Sequence, residues 1–283
     1  MTTTKLPTNQ AELSTAALLH KEKLLEGMEE RLSWKTIHMR QYFQKAGIKK
    51  VILGVSGGID SAVVLGLLAH SCVDVDAYTI NFGLYKDIFE QKYVDELAKA
   101  FKRFDPILFK TIDATRGFNA LLDNMFDDPT KVSDHVRAQS SYALRYQMLF
   151  TYAQQSRNMA VTCGTTNRDE FQYAGWFGKN SDMVVDIQVI TDWSKSQVIQ
   201  AAKWLDVPQS IIDRAPVGDL LDMSTDEENF GCTYDELTYF QDCIEPIGET
   251  NAFLTRKFKK LRALHKQNAH KYQGQTYNPY FIK

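Results

Sequence analysis

The sequence predicts an α/β protein built on a doubly wound parallel sheet. Three observations carry that expectation. Runs of β-formers recur at 50–55, 75–82, 106–112 and 158–164, with helical spacing of apolar residues between them. Strands that alternate with helices pair in parallel and bury both sheet faces. The first strand leaves through Ser56-Gly57-Gly58 into a helix that opens with Asp60 and Ser61. That places a small-residue turn at a strand's carboxyl end, where open α/β sheets bind ligands.

Residues 1–10 are polar and read as a disordered tail, with 11–283 as one domain. From 11 to 46 the pattern is helical, with Leu13, Leu18, Leu24, Leu32, Ile37 and Phe43 in register. The strand at 50–55 and its helix at 60–71 follow. A second strand at 75–82 leads to strong helix formers over 89–104 and a third strand at 106–112. A short helix near 117–125 and an Asp-Asp-Pro turn precede a long helix with Ser133 as N-cap. The fourth strand is 158–164, and "VVDIQVI" (184–190) is a short fifth. "SKSQVIQAAKWL" is a helix that stops before Pro208. Residues 215–231 read as a loop, and helices near 233–243 and 249–268 close the chain.

A chain of 283 residues with 44% hydrophobic and 24% charged residues has an ordinary globular composition. A net charge of −2 argues against a nucleic-acid protein working through a broad basic face. No apolar run approaches the ~20 residues that span a bilayer, and "MTTTKLPTNQ" has no signal-peptide core. Neither a nucleic-acid nor a membrane partner is expected. Cys72, Cys163, Cys232 and Cys243 form no C-x-x-C and read as reduced thiols of a cytoplasmic protein.

The turn at 56–61 has a physical meaning of its own. A helix N-terminus offers free N–H groups and the positive end of the helix dipole, and glycines let a phosphate approach the backbone. A tight strand–helix turn without a ligand is the plainer alternative. The turn lacks the lysine of G-x-x-x-x-G-K-[ST] and the third glycine of G-x-G-x-x-G. It suits a nucleotide whose pyrophosphate leaves rather than one whose γ-phosphate is transferred.

S-G-G-x-D-S after a first strand resembles the pyrophosphatase loop of the N-type ATP pyrophosphatases. Further motifs follow in an order that resembles the NAD synthetase branch of that superfamily. They are "GTTNRDE" (164–170), "GWFGKNSD" (175–182), "VVDIQVITDWSKSQV" (184–198), "RAPVGDLLDMSTDEENFGCTYDEL" (214–237) and the His270-Lys271 pair. The resemblance runs from about residue 20 to the C-terminus. It implies the Rossmann-like adenine nucleotide alpha hydrolase fold with extra N- and C-terminal helices. It also implies a homodimeric ligase that amidates deamido-NAD to NAD. ATP would adenylate the nicotinate carboxylate, and ammonia would displace AMP.

Carried over residue by residue, the resemblance gives Ser56, Gly57, Gly58, Asp60 and Ser61 the ATP phosphates. Asp60 and Glu170 become the catalytic pair that binds Mg²⁺. Thr165 contacts ATP, Lys195 reaches a phosphate, and Asp219, Asp226 and Glu227 belong to a closing loop. Lys179, Asp182 and Asp186 face the nicotinate-bearing substrate, as do Arg145 of the long helix, His270 and Lys271. Each has a plainer reading: Glu170 as a helix-dipole partner, the lysines as exposed charges, Asp226 and Glu227 as a solvated acidic loop.

Three stretches depart from the family pattern. "INFGLYKDIFEQ" (80–91) keeps Gly83 and an acidic Asp87 but little else. "SYALRYQM" (141–148) keeps Arg145 and Met148, with Ser141 and Gln147 where the family has Asn and Arg. Val217 stands where the family has a hydroxyl residue. An Arg-to-Gln change removes a fixed charge and a bidentate fork. The alternative reading is therefore a related amide ligase acting on a different carboxylic acid. The roughly 50 residues before the first strand contain no cysteine for a glutamine amidase, so ammonia, free or from a separate partner, is the expected nitrogen source.

Overall fold

The computed structural model describes residues 6–84, 91–156, 159–214, 225–248 and 250–272. Two helices lead in, α1 over Gln10–Leu25 and α2 over Met28–Ala46. The helical run expected from 11 to 46 is broken at Gly27, whose φ of +64° is left-handed and favours glycine. The break divides the expected apolar register. Leu13, Leu32 and Phe43 are buried, while Leu18 and Ile37 are about half exposed (52% and 51%). The disordered tail expected over 1–10 is corrected for residues 6–10. Leu6 packs on a helical core, Asn251 Nδ2 donates to the Pro7 carbonyl at 2.8 Å, and Asn9 caps α1 by accepting from the Glu12 amide.

The α/β unit follows: β1 Lys50–Gly54, α3 Ile59–His70, β2 Asp74–Asn81, α4 Gln91–Phe101, β3 Ile107–Asp113, α5 Thr115–Met125, α6 Asp134–Gln155 and β4 Ala160–Gly164. Then come β5 Ile187–Gln188, α7 Lys195–Trp204 and α8 Gln209–Ile212. Ser133 caps α6 as expected, accepting from the Val136 amide. All strand pairs are parallel, in the order β3-β2-β1-β4-β5. The central strands are continuous apolar runs because both faces are covered. Val51, Leu53, Val55, Val75 and Ala77 pack under α2, α3, α4 and α7. The alternate residues Ile52, Tyr78, Ile80 and Phe82 pack on Phe118 and Leu122 of α5 and Leu149 and Ala153 of α6.

The fifth strand is shorter than the expected 184–190. Beside it, the carboxylate of Asp186 rather than a backbone carbonyl takes the Thr162 amide, at 2.7 Å. The expected loop over 215–231 holds a short helix, α9 Asp226–Phe230, started by a capping box between Thr225 and Glu228. Residues 215–224 lie outside the described residues. The expected helix at 233–243 is α10 Tyr234–Tyr239 passing into a π turn over Phe240–Ile244. The last expected helix divides into α11 Ala252–Lys257 and α12 Lys259–Tyr272. These C-terminal helices form a separate core with Leu13 and Ala17 of α1 and with Tyr173.

Candidate active site

Strand order reverses between β1 and β4, so the loops leaving these two strands face one crevice. The first loop is Ser56-Gly57-Gly58. Gly57 has φ +77°, and a Cβ there would stand 3.2 Å from Tyr93 Cβ. Gly58 caps α3 without any side-chain bond to the first-turn amides, which leaves them for an anion. The two serines turn toward the loop itself. Ser61 Oγ donates to the Gly58 carbonyl at 2.9 Å and lies 3.3 Å from Ser56 Oγ.

Asp60 enters the crevice from the first turn of α3 and Glu170 from the π turn Glu170–Ala174 after β4. Lys195, at the first position of α7, reaches between them from below. Its Nζ lies 2.5 Å from Asp60 Oδ2 and 3.8 Å from Glu170 Oε1. Lys195, expected to reach a phosphate, is thus buried and paired with the two acids. Asn167 ties the turn to the loop: its Nδ2 donates to Asp60 Oδ1 at 3.3 Å, and its Oδ1 accepts from the Glu170 amide at 3.1 Å. Asp226, buried at the start of α9, accepts from Tyr234 Oη at 2.8 Å, and the same hydroxyl reaches Glu170 Oε1 at 3.4 Å. Asp226 is therefore part of this cluster, whereas Glu227 is spent on the Tyr234 amide at 2.9 Å.

The cluster sets three carboxylates against one ammonium. Burial raises the Glu170 carboxyl well above the usual carboxylate range, and Asp60 adds to the rise. Burial also raises Asp226. For Lys195, burial alone would lower the ammonium, but Asp60 and Glu170 outweigh it and the net shift is upward. Asp226 Oδ1 is buried without a hydrogen-bond partner. Surplus buried negative charge with an orphaned carboxylate oxygen is an environment that a divalent cation would relieve.

Among the described residues no three His, Cys, Asp or Glu side chains form a metal-binding group. Mg²⁺ needs only one or two carboxylates, the remainder being phosphate oxygens and water. Asp60 and Glu170, sharing Lys195 Nζ, fit that donor set.

Thr165 lies half-buried just past the end of β4. The residues expected to face the acid substrate are differently disposed. Asp182 accepts from the Gly178 amide at 2.9 Å and from Tyr146 Oη at 2.9 Å, bracing the turn that carries half-buried Lys179. Asp186 accepts from both the amide and hydroxyl of Thr162, at 2.7 and 2.8 Å. Lys271 donates to the Gly175 and Phe177 carbonyls at 2.8 and 2.7 Å, and His270 Nδ1 lies 3.1 Å from the Gln267 carbonyl of its own helix. Arg145 lies over the Phe82 and Tyr142 rings. Ser141 is buried, and Gln147 is exposed with its amide 3.5 Å from Thr151 Oγ1. Asp219, Val217 and Asp87 lie outside the described residues.

Three members of the site carried no expected role. Tyr234 stood in the quoted T-Y-x-E-L stretch, and Asn167 and Asp169 in "GTTNRDE". A run of polar side chains at a strand's carboxyl end was the available signal. Asp169 is fully buried, pushed up to about 6 by burial. It accepts from the Lys195 amide at 2.8 Å and from Thr238 Oγ1 at 3.0 Å, so it locks α7 and α10 onto the π turn.

The family model described as NAD synthase matches residues 32–274. The NH(3)-dependent NAD(+) synthetase of Mesoplasma florum is 31% identical over 249 residues, covering 87% of this chain and 95% of that protein. The enzyme of the same name from Syntrophomonas wolfei is 32% identical over 202 residues, covering 70% of this chain and 78% of its own. The NMN synthetase from Francisella tularensis superposes with a TM-score of 0.74 at 25% identity, covering 89% of this chain and 98% of its own. The NH3-dependent NAD synthetase from Campylobacter jejuni shares the fold, with a TM-score of 0.68 at 17% identity. With a family model spanning most of its length and these relatives around it, the chain belongs to the NAD synthase family.

Proposed function

We propose that this chain is an ammonia-dependent ligase that amidates deamido-NAD to NAD at the expense of ATP. The observation that carries the reading is the meeting of Asp60, Glu170 and Lys195 beside an uncapped Ser-Gly-Gly loop at the sheet's switch point. In the first half-reaction a nicotinate carboxylate oxygen attacks the α-phosphorus of ATP and pyrophosphate leaves. In the second, ammonia attacks the acyl carbon and AMP leaves. The first-turn amides of α3 and the Ser56 and Ser61 hydroxyls hold the leaving phosphates. Asp60 and Glu170 hold Mg²⁺, whose chemistry there is to neutralise charge on the departing pyrophosphate. Lys195 keeps those carboxylates together, and Asn167 and Tyr234 fix their orientation. No covalent nucleophile is required, so catalysis is positioning and charge neutralisation.

A homodimer fits the exposed apolar side chains Leu121 and Met125 on α5 and Val136 and Phe150 on α6, two helices that share one core. Free Cys72, Cys163, Cys232 and Cys243 fit a cytoplasmic location. Among the described residues no helix is long and apolar enough to cross a membrane.

A second reading has its own support. The likeness to an NMN synthetase, at 25% identity and TM-score 0.74, exceeds that to the Campylobacter NAD synthetase at 17% and 0.68. Gln147 also lacks the charge that its alignment with a family arginine implied. Nicotinate mononucleotide is then the acid. The deciding measurement is pyrophosphate release with ATP, Mg²⁺ and ammonium, the acid being deamido-NAD in one arm and the mononucleotide in the other, with products separated by chromatography. A deamido-NAD kcat/KM at least equal to that of the mononucleotide supports the first reading. The reverse preference replaces it with the second, and release with neither acid sinks both.

A further inference from the structure

Away from the crevice, α1 and the π turn after α10 bring together a cysteine, a histidine and an aspartate that the ligase reaction does not use. Cys243 Sγ lies 3.6 Å from His20 Nδ1, and His20 Nε2 lies 2.9 Å from Asp242 Oδ2. The two ring nitrogens are thus engaged in series, one by the sulfur and one by the carboxylate. We propose that Cys243, His20 and Asp242 form a reactive-thiol site, a modification site for low-molecular-weight disulfides and soft electrophiles.

The arrangement has the parts that nucleophilic sulfur needs. A thiolate, not a thiol, is the attacking species, and an adjacent imidazolium stabilises it. Asp242 orients the ring and supports its charge. Its hydrogen bond, joined by that of Cys243, raises His20 to about 9, so the ring is cationic at neutral pH. Arg168 adds a second cation, its Nη2 lying 3.3 Å from the same Asp242 Oδ2. Tyr239 packs edge-on against the imidazole, with ring centroids 5.9 Å apart, and limits its rotation. Cys243 is partly exposed, so small reagents reach it. Cys163 and Cys232 are buried, and burial raises both thiols, Cys232 to about 12. Cys72 is exposed and has no imidazole partner among the described residues; the Arg40 guanidinium lies 3.2 Å from its sulfur.

The exchange balances without an added oxidant beyond the disulfide itself. The Cys243 thiolate attacks one sulfur of R–S–S–R. A Cys243–S–S–R bond forms as the reagent's S–S bond breaks, and R–S⁻ leaves and takes a proton from solvent. The protein sulfur is oxidised and one sulfur of the reagent is reduced. The site also connects to the crevice. Arg168 spans Asp242 and the buried Asp169, at 3.3 and 3.6 Å, and Asp169 holds the Lys195 amide.

The test uses iodoacetamide on the folded full-length chain at pH 6.0 and 7.5, with each cysteine peptide followed by mass spectrometry. Glutathione added to the same solution serves as the unassisted reference, because the Arg40 guanidinium lies 3.2 Å from the Cys72 sulfur. An unassisted thiol with a pKa of about 8.5 loses roughly tenfold in thiolate per pH unit on acidification. The expected result is that Cys243 is alkylated at least tenfold faster than glutathione at pH 6.0, an advantage that narrows at pH 7.5 as glutathione ionises. In His20→Gln the advantage should disappear, with circular dichroism confirming the fold. A disulfide such as cystamine should then add one mixed disulfide, at Cys243. The proposal is overturned if glutathione matches or outpaces Cys243 in the unaltered protein, a result that needs no variant to fold. It is equally overturned if a folded His20→Gln protein keeps the wild-type Cys243 rate.

Discussion

The turn over 164–170 and the turn over 175–186 both follow β4, and their polar side chains are used in opposite ways. At the first, Glu170 is joined by Asp60 of α3 and Asp226 of α9 around one ammonium, and Asp226 Oδ1 has no partner. In the second, Asp182 and Asp186 are committed to backbone amides and hydroxyls, and Lys271 to backbone carbonyls. Side chains that the fold satisfies hold the fold together. Side chains it leaves crowded and buried at an electrostatic cost are held for a ligand. Substitutions in the two turns should therefore differ in kind.

The largest effect is expected at the crowded acids. Asp60→Asn or Glu170→Gln should lower ATP cleavage by about 10³-fold while the fold survives. The sign of the stability change sharpens the point. Burial raises the folded pKa of Glu170 above its unfolded value. Whatever stability its protonation contributes is therefore present below the unfolded pKa of about 4.3 and lost as pH rises through the folded value. Glu170→Gln should show a Tm at or above wild type at pH 8, with a smaller advantage at pH 5. A Tm well below wild type at pH 8, with activity retained, would make Glu170 a structural residue like Asp186.

Lys195→Met comes next. Removing one partner of a buried ion pair costs about 3–5 kcal/mol, and here it leaves Asp60 and Glu170 facing each other. Denaturant titration should show that loss. Millimolar Mg²⁺ should restore part of it, because a cation can take the ammonium's place between the carboxylates. A Lys195→Met protein whose midpoint ignores Mg²⁺ would remove the pair as a cation site.

The asymmetry also explains what was legible in the sequence. The sheet, its helices and the Ser56–Ser61 loop were readable because apolar period and glycine placement are local signals. Asp60 and Glu170 were named through the resemblance of S-G-G-x-D-S and G-T-x-x-x-x-E to family motifs, and both lie at a strand's carboxyl end. The break at Gly27 was missed because a lone glycine in a helical register is tolerated in many helices, and only its left-handed φ ends this one. The helix at Asp226–Phe230 announced itself by Thr225 and Glu228, but a polar stretch between motifs read as loop. Tyr234 could not be placed, since its partners Asp226 and Glu170 lie 8 and 64 residues away in sequence. The use of Asp182, Asp186 and Lys271 was equally hidden. A carboxylate that braces a turn and one that binds a substrate look alike until the neighbouring amides are placed.

Asp186→Asn tests the satisfied turn. The amide side chain keeps one acceptor but loses the charge that strengthens both bonds from Thr162. Stability should fall by about 1–2 kcal/mol, read as a shift in denaturant midpoint, with KM for the acid within about twofold of wild type. A tenfold rise in KM without a stability loss would move Asp186 to the substrate and erase the contrast between the turns.

The smallest effect is expected at Gln147, and it bears on which acid is bound. Its side chain is exposed on α6 and, among the described residues, reaches Thr151, one turn away. An arginine there costs the fold little, because no buried group is displaced. An exposed guanidinium meeting a phosphate is worth about 0.2–1 kcal/mol, a few-fold at most in KM, and it should shrink as salt is raised. Deamido-NAD has an adenylate half that nicotinate mononucleotide lacks. If α6 faces that half, Gln147→Arg lowers KM for the dinucleotide a few-fold and leaves KM for the mononucleotide unchanged. Equal gains for both acids would mean that the new charge acts only through the general field of the site. In that case the loss of the family arginine says nothing about acid length, and the choice between the two acids passes to the half-buried Lys179 turn.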